Sequence, residues 1–194
     1  MNTRLKASLA AALLVATAAG SVVSASELYT RPGRYSLDAE GWDLQPGSDG
    51  AMLLRCKACK VLVQVQIDYS PERTGPQAKG GNKEFLARLD TQDAQTQFAE
   101  LMVEASLPPE ITIGEDVDVE IATVSKAKVG GLDVFQYVAL IDGGAEVTQE
   151  SSLVAIQNNR IVKVALNHYQ GALDGEAKDR IASLFKSLRF DLKP

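Results

Sequence analysis

Leu132-Asp133-Val134-Phe135-Gln136-Tyr137-Val138-Ala139-Leu140-Ile141 opens the stretch that decides the fold, which runs on through Val147 to Ile156, Asn158-Asn159 and Ile161 to Leu166. The three runs are rich in β-branched and aromatic residues and read as strands. Asp142-Gly143-Gly144 separates the first two, and Asn158-Asn159 separates the last two. Such connections are too short for a crossover helix, so successive strands must run antiparallel. Asn tolerates the positive φ of a tight hairpin, which places a sharp turn at Asn158-Asn159. Leu132 to Ile141 is apolar on both faces and is predicted to be a central strand.

Working outward, Gly130-Gly131 is a turn, and before it Val117, Val119 and Ile121 alternate with Asp116, Asp118 and Glu120. That period of two predicts a half-buried strand with an acidic outer face. On the other side, Asp174 can cap a helix whose Ala177, Ile181, Leu184, Phe185 and Leu188 share one face, closed by Arg189-Phe190.

Upstream, Phe85, Leu86, Leu89, Ala94, Phe98, Leu101, Met102 and Ala105 trace an apolar helical face from Asn82. Its phase slips near Asp90-Thr91, which fits two short helices as well as one, and Pro108-Pro109 ends it. Ser70 to Gly81 is a Gly- and Pro-rich loop. Val61, Val63, Val65 and Ile67 alternate with Leu62, Gln64 and Gln66, and Met52-Leu53-Leu54 forms another strand. Tyr35 and Leu37, then Trp42 and Leu44, flank an Ala39-Glu40-Gly41 turn and suggest a first hairpin or a bent edge strand. The order of strands, helix, antiparallel meander and helix predicts an α+β fold, an antiparallel β-sheet flanked by helices.

The first 25 residues have the three parts of a secretory signal. Arg4 and Lys6 are followed by the uncharged apolar stretch Ala7 to Gly20, and Val23-Ser24-Ala25 supplies the small residues of a cleavage site. Cleavage is placed after Ala25, leaving 26–194 as a single domain that is exported, soluble and periplasmic. A membrane anchor needs about 20 consecutive apolar residues, and Thr17, Gly20 and Ser21 interrupt this stretch. No later run is apolar enough to span a bilayer. Removing the signal takes away two cations and no acid, so the net charge falls from −5 to −7. An acidic domain whose longest basic clusters are Arg55/Lys57/Lys60 and Lys126/Lys128 is a poor match to nucleic acid.

Cys56-Lys57-Ala58-Cys59 holds the only two cysteines, and export places them in an oxidising compartment. A short-range disulfide pinning the turn before Val61 is the favoured reading. A thioredoxin-like pair needs its first Cys at a helix N-terminus, whereas this pair runs into a strand. Haem attachment needs a His where Lys60 stands. Zinc needs about four ligands, and His168 alone is available to join the cysteines unless carboxylates or a second subunit help. A redox or metal role for Cys56 and Cys59 stays open as the alternative.

His168, the only histidine, lies at a strand end, and no serine occupies a Gly-x-Ser-x-Gly elbow. A hydrolase using His168 or a carboxylate pair is the remaining enzymatic reading, and the sequence singles out no pair. Glu115, Asp116, Asp118 and Glu120 lack the glycine and spacing of a calcium loop. Gly80-Gly81 and Gly143-Gly144 lack the Lys-Ser/Thr of a phosphate loop and read as turns. Tyr29, Tyr35 and Trp42 gather near the mature N-terminus, where they line either a core or a ligand pocket. No catalytic residue, cofactor or metal is expected.

Tyr35-Ser36-Leu37 with Gly41-Trp42 resembles the opening strand-turn-Trp of PsbP-like domains, and Ser183 to Phe190 resembles their closing helix. The resemblance spans roughly residues 33–191. It implies an α/β/α sandwich and a binding or assembly role without shared catalytic residues, as in the photosystem II subunit, a Ran-binding import factor and DcrB-like envelope proteins. DcrB-like members are typically lipid-anchored, and this chain lacks the acceptor Cys. The expected function is a non-enzymatic binding or assembly module whose partner is another envelope protein or a small ligand.

Overall fold

A computed structural model of the protein describes residues 28–75, 80–169, 171 and 173–191. The expected signal segment, residues 1–25, and the cleavage expected after Ala25 lie outside the described residues. Seven strands form the main antiparallel sheet: β3 (Trp42–Pro46), β4 (Met52–Cys56), β5 (Val63–Tyr69), β6 (Asp118–Val129), β7 (Leu132–Asp142), β8 (Val147–Gln157) and β9 (Arg160–Tyr169), in spatial order 3-4-5-9-8-7-6. A second sheet of three short strands joins β1 (Leu28–Arg31), β2 (Tyr35–Asp38) and β10 (Arg189–Phe190). Helices α1 (Asn82–Arg88), α2 (Gln92–Glu104) and α3 (Gly175–Ser187) complete the domain. The α+β class and the flanked antiparallel sheet are as expected.

Asn158 and Asn159 have φ of 48° and 62°, the paired left-handed conformation of a tight β8–β9 hairpin. The Asp174 carboxylate accepts a hydrogen bond from the Ala177 N–H at 2.9 Å and caps α3. The helical segment is broken, as its phase slip suggested: Leu89 ends α1, and the Thr91 hydroxyl caps α2 by accepting from the Ala94 N–H at 3.2 Å. Gly130 is required at the β6–β7 turn, because a Cβ there would lie 2.8 Å from the Leu188 carbonyl oxygen. The Phe190 N–H donates to the Gly130 oxygen across the same approach.

Two cores sit on opposite faces of the main sheet. One packs Val63, Val65, Ile67, Val162, Val164 and Leu166 against Tyr35 and Leu37 of the small sheet and Ile181, Leu184 and Leu188 at α3. The other packs Phe135, Tyr137, Ala139 and Val154 under Leu89, Ala99 and Val103 of the α1–α2 segment. Three expectations need correction. Tyr35–Asp38 and Trp42–Pro46 do not form a hairpin, because the Ala39–Gly41 turn carries the chain from the small sheet to the edge of the large one. Strand β7 is next to the edge and β9 is central; β7 is apolar on both faces because it serves both cores, Leu132 and Val134 one, Phe135 and Tyr137 the other. Leu101 is 61% exposed, on the solvent side of α2.

Candidate functional site

The face of the main sheet that carries α1 and α2 is covered by them on only one side. Residues opposite each other in an antiparallel ladder point to the same face, so register alone maps it. One row runs Asp43, Arg55, Gln64, Asn167, Glu150, and the next runs Gln45, Leu53, Gln66, Ala165, Ser152. Asp68 stands opposite Lys163 in a third. Toward β7 the same rows become Ala139, Tyr137 and Phe135, buried beneath the helices. Toward β3 they are mostly polar: Asp43, Gln45, Arg55 and Gln66 are exposed, and Gln64, Asp68 and Asn167 are half-buried, with half-buried Leu53 among them. Burial raises the pKa of the Asp68 carboxyl, an effect partly offset by a Gln66 hydrogen bond and by the Lys163 charge.

At the boundary between the covered and open halves lies a buried ionic cluster. The Lys163 ammonium is 2.8 Å from Glu150 Oε1. The same oxygen accepts from the Tyr137 hydroxyl at 2.6 Å and from the Ser152 hydroxyl at 2.8 Å. Lys163 Nζ also donates to the Met102 carbonyl oxygen at 3.3 Å and to Ser106 Oγ. All three ammonium protons thus have acceptors, and two of them lie at the C-terminal end of α2, where the helix dipole favours a cation. Burial pushes the Tyr137 phenol far above its ordinary pKa, and the Glu150 charge pushes it further. Through these bonds the cluster fastens the end of α2 to the sheet.

The signals of this cluster in the sequence are a Lys inside the apolar run Ile161 to Leu166 and a Glu inside Val147 to Ile156. The anticipated residues lie elsewhere. Cys56 and Cys59 are joined in a disulfide at the end of β4, with Cα atoms 5.5 Å apart. His168 is buried on β9 facing the α3 core, its Nδ1 2.8 Å from the Tyr169 carbonyl oxygen. No base–nucleophile pair joins it among the described residues. Asp118 and Glu120 are exposed on β6, whereas Asp116 is not on the strand: its carboxylate accepts from the Thr112 N–H at 2.8 Å in the preceding turn. Tyr35 and Trp42 are core residues, and Tyr29 packs against that core. Among the described residues, no group of three or more His, Cys, Asp or Glu is placed to hold a metal ion, and no helix is long and apolar enough to cross a membrane.

No protein-family model matches the sequence, and no curated protein does. Solved structures do. A cyanobacterial PsbP (CyanoP) from Synechocystis is similar over 90% of this chain and 98% of its own, with 15% identity and a TM-score of 0.52. A crystal structure from Bacteroides thetaiotaomicron is similar over 87% of this chain at 11% identity and a TM-score of 0.50, and the match spans about half, 49%, of that longer chain. LpqN of Mycobacterium tuberculosis, described as involved in cell envelope biogenesis, is similar over 82% of this chain and 86% of its own, with 18% identity and a TM-score of 0.46. With its broad antiparallel sheet, helices on both faces and likeness to cyanobacterial PsbP along nearly the whole of both chains, this protein has the PsbP-like fold.

Proposed function

We propose that the protein is an exported, periplasmic, non-enzymatic binding or assembly module, and that it receives an envelope protein on the open polar half of its main sheet. The observation that carries this reading is the asymmetry of that face. Its interior polar groups are consumed by the Lys163–Glu150 cluster, while the neighbouring rows present amides and charges of both signs to solvent. A mixed polar surface of this kind suits a protein interface of the reversible class, which is about as polar as ordinary surface. The PsbP-like fold adds a precedent for modules of this architecture. Export rests on residues 1–25, and N-terminal sequencing of the protein recovered from the periplasm is expected to begin at Ser26.

The test is a comparison of wild type with Arg55→Glu/Gln66→Glu, two exposed positions on the face. The expected result is an unchanged melting temperature together with loss of a partner that co-purifies with wild type. Equal recovery of that partner by both proteins contradicts the reading. The alternative, redox or metal chemistry at Cys56 and Cys59, is separated by thiol titration and metal analysis of the purified protein: a stable disulfide without metal removes it.

A further inference from the structure

A second polar recess lies away from the open sheet face. The turn joining β1 to β2 and the 3-10 turn Ser48–Gly50 flank an open recess lined by Arg31, Pro32, Gly33, Arg34, Asp49 and Gly50. Both arginines come from one tight turn, closed by the Arg34 N–H donating to the Arg31 oxygen at 3.0 Å. That turn is held from behind: Asp191 Oδ2 accepts from the Gly33 N–H, and the Asp191 N–H donates to the Arg34 oxygen, each at 2.8 Å. The backbone from which both side chains arise is therefore fixed.

Neither guanidinium belongs to an ion pair or donates a hydrogen bond among the described residues. Elsewhere in the chain, half-exposed cations such as Arg180 have found carboxylates. Arg34 lies over the Tyr69 ring at 4.9 Å, and Tyr69 is itself pinned by its hydroxyl donating to Gln157 at 2.6 Å. Gly50, at φ +91°, makes room for the Arg34 stem, since a Cβ there would meet its Cγ and Nε at 3.0 Å. Tyr35 is kept neutral chiefly by burial, the Arg31 charge opposing this, and its buried hydroxyl has no hydrogen-bond partner among the described residues. These contacts place Arg34 before any ligand arrives, which lowers the ordering cost of binding.

We infer that this cleft is an oxyanion site that holds one phosphate-like or carboxylate group between Arg31 and Arg34. Guanidinium forks match two oxygens of such a group in a way that an ammonium cannot. Asp49 on the cleft wall and Asp191 behind the turn limit the charge the site accepts, so a ligand with one anionic head and a hydrogen-bond donor beside it fits, and a polyanion does not. This inference is independent of the partner assigned to the sheet face.

The test titrates the purified protein at low ionic strength with inorganic phosphate and, separately, with acetate, following backbone amide shifts at Gly33 and Gly50. Saturable binding of either probe is expected, and the probe that binds names the source of the oxyanion. Arg34→Lys, which keeps the charge and loses the fork, is expected to weaken binding about tenfold. Asp49→Asn is expected to tighten it. The inference is overturned if neither probe saturates, if Arg31→Gln/Arg34→Gln binds as wild type does, or if Asp49→Asn leaves affinity unchanged. Arg31→Gln alone, at the half-buried end of β1, keeps the test available if the double variant fails to fold.

Discussion

Lys163 and Glu150 form an ion pair of 2.8 Å inside the protein, with 8% and 5% of their side chains exposed. They stand on adjacent strands, β9 and β8, and their contact closes only because the end of α2 supplies the other acceptors for Lys163. Removing one partner strands the other charge in a dry site, which costs about 3–5 kcal/mol. Lys163→Met and Glu150→Gln are each expected to lower the urea midpoint, and the double variant is expected to lose less than the sum. Additive losses in the double-mutant cycle contradict the coupling.

Gln157 is the counterpart at the other end of β8. Its amide nitrogen donates to the Arg34 and Asp191 carbonyl oxygens at 2.6 and 2.7 Å, and its oxygen accepts from Tyr69. Gln157→Leu leaves the buried Tyr69 hydroxyl unpaired, at about 1–3 kcal/mol, while the Arg34 oxygen keeps the Asp191 N–H and the Asp191 oxygen keeps the Asn158 amide. Hydrogen exchange is expected to show the loss locally, with earlier exchange at Phe190 and Tyr35 than at Val164. Uniform loss of protection across the main sheet contradicts that assignment.

Much of the fold is legible in the sequence where the signal is local. Asn158-Asn159, Asp174 and Gly130-Gly131 each specify a turn or cap through their own backbone preferences, and each stands where the pattern put it. The small sheet is not legible, because β10 is two residues long and pairs with Tyr35 and Ser36 from the far end of the sequence. Nor is Lys163: a Lys within an apolar strand reads as outward-facing until α2 is known to end above it. The same holds for the open sheet face, which alternation predicts to be wet, without saying which half the helices cover.

Burial keeps Tyr35, Tyr69 and Tyr137 neutral well above the range of an exposed phenol, with desolvation the largest cause in all three. As pH rises, the unfolded chain loses these protons first, near pH ~10. The stability contributed by neutral burial is therefore complete below pH ~10 and is lost progressively above it. An ultraviolet titration is expected to show these three phenols ionising together with the loss of near-ultraviolet dichroism. Reversible ionisation of all five tyrosines in the folded protein contradicts the assigned burial.

The Cys56–Cys59 loop is short, so its closure restrains the unfolded chain by only about 2 kcal/mol. Cys56→Ser/Cys59→Ser is expected to fold, with a modestly lower melting temperature. An unfolded double variant would assign the bridge a larger role than its loop length allows.

The central claim, that the uncovered polar half of the main sheet receives an envelope partner, is tested most directly by a photo-crosslinking residue placed in living cells. One version carries it at Gln66 on the open face, and a second carries it at Lys178 on the exposed side of α3. The account predicts one discrete crosslinked species from position 66, lost when Arg55 is changed to Glu, and none of that size from position 178. The same species from both positions, or from position 178 alone, would contradict it.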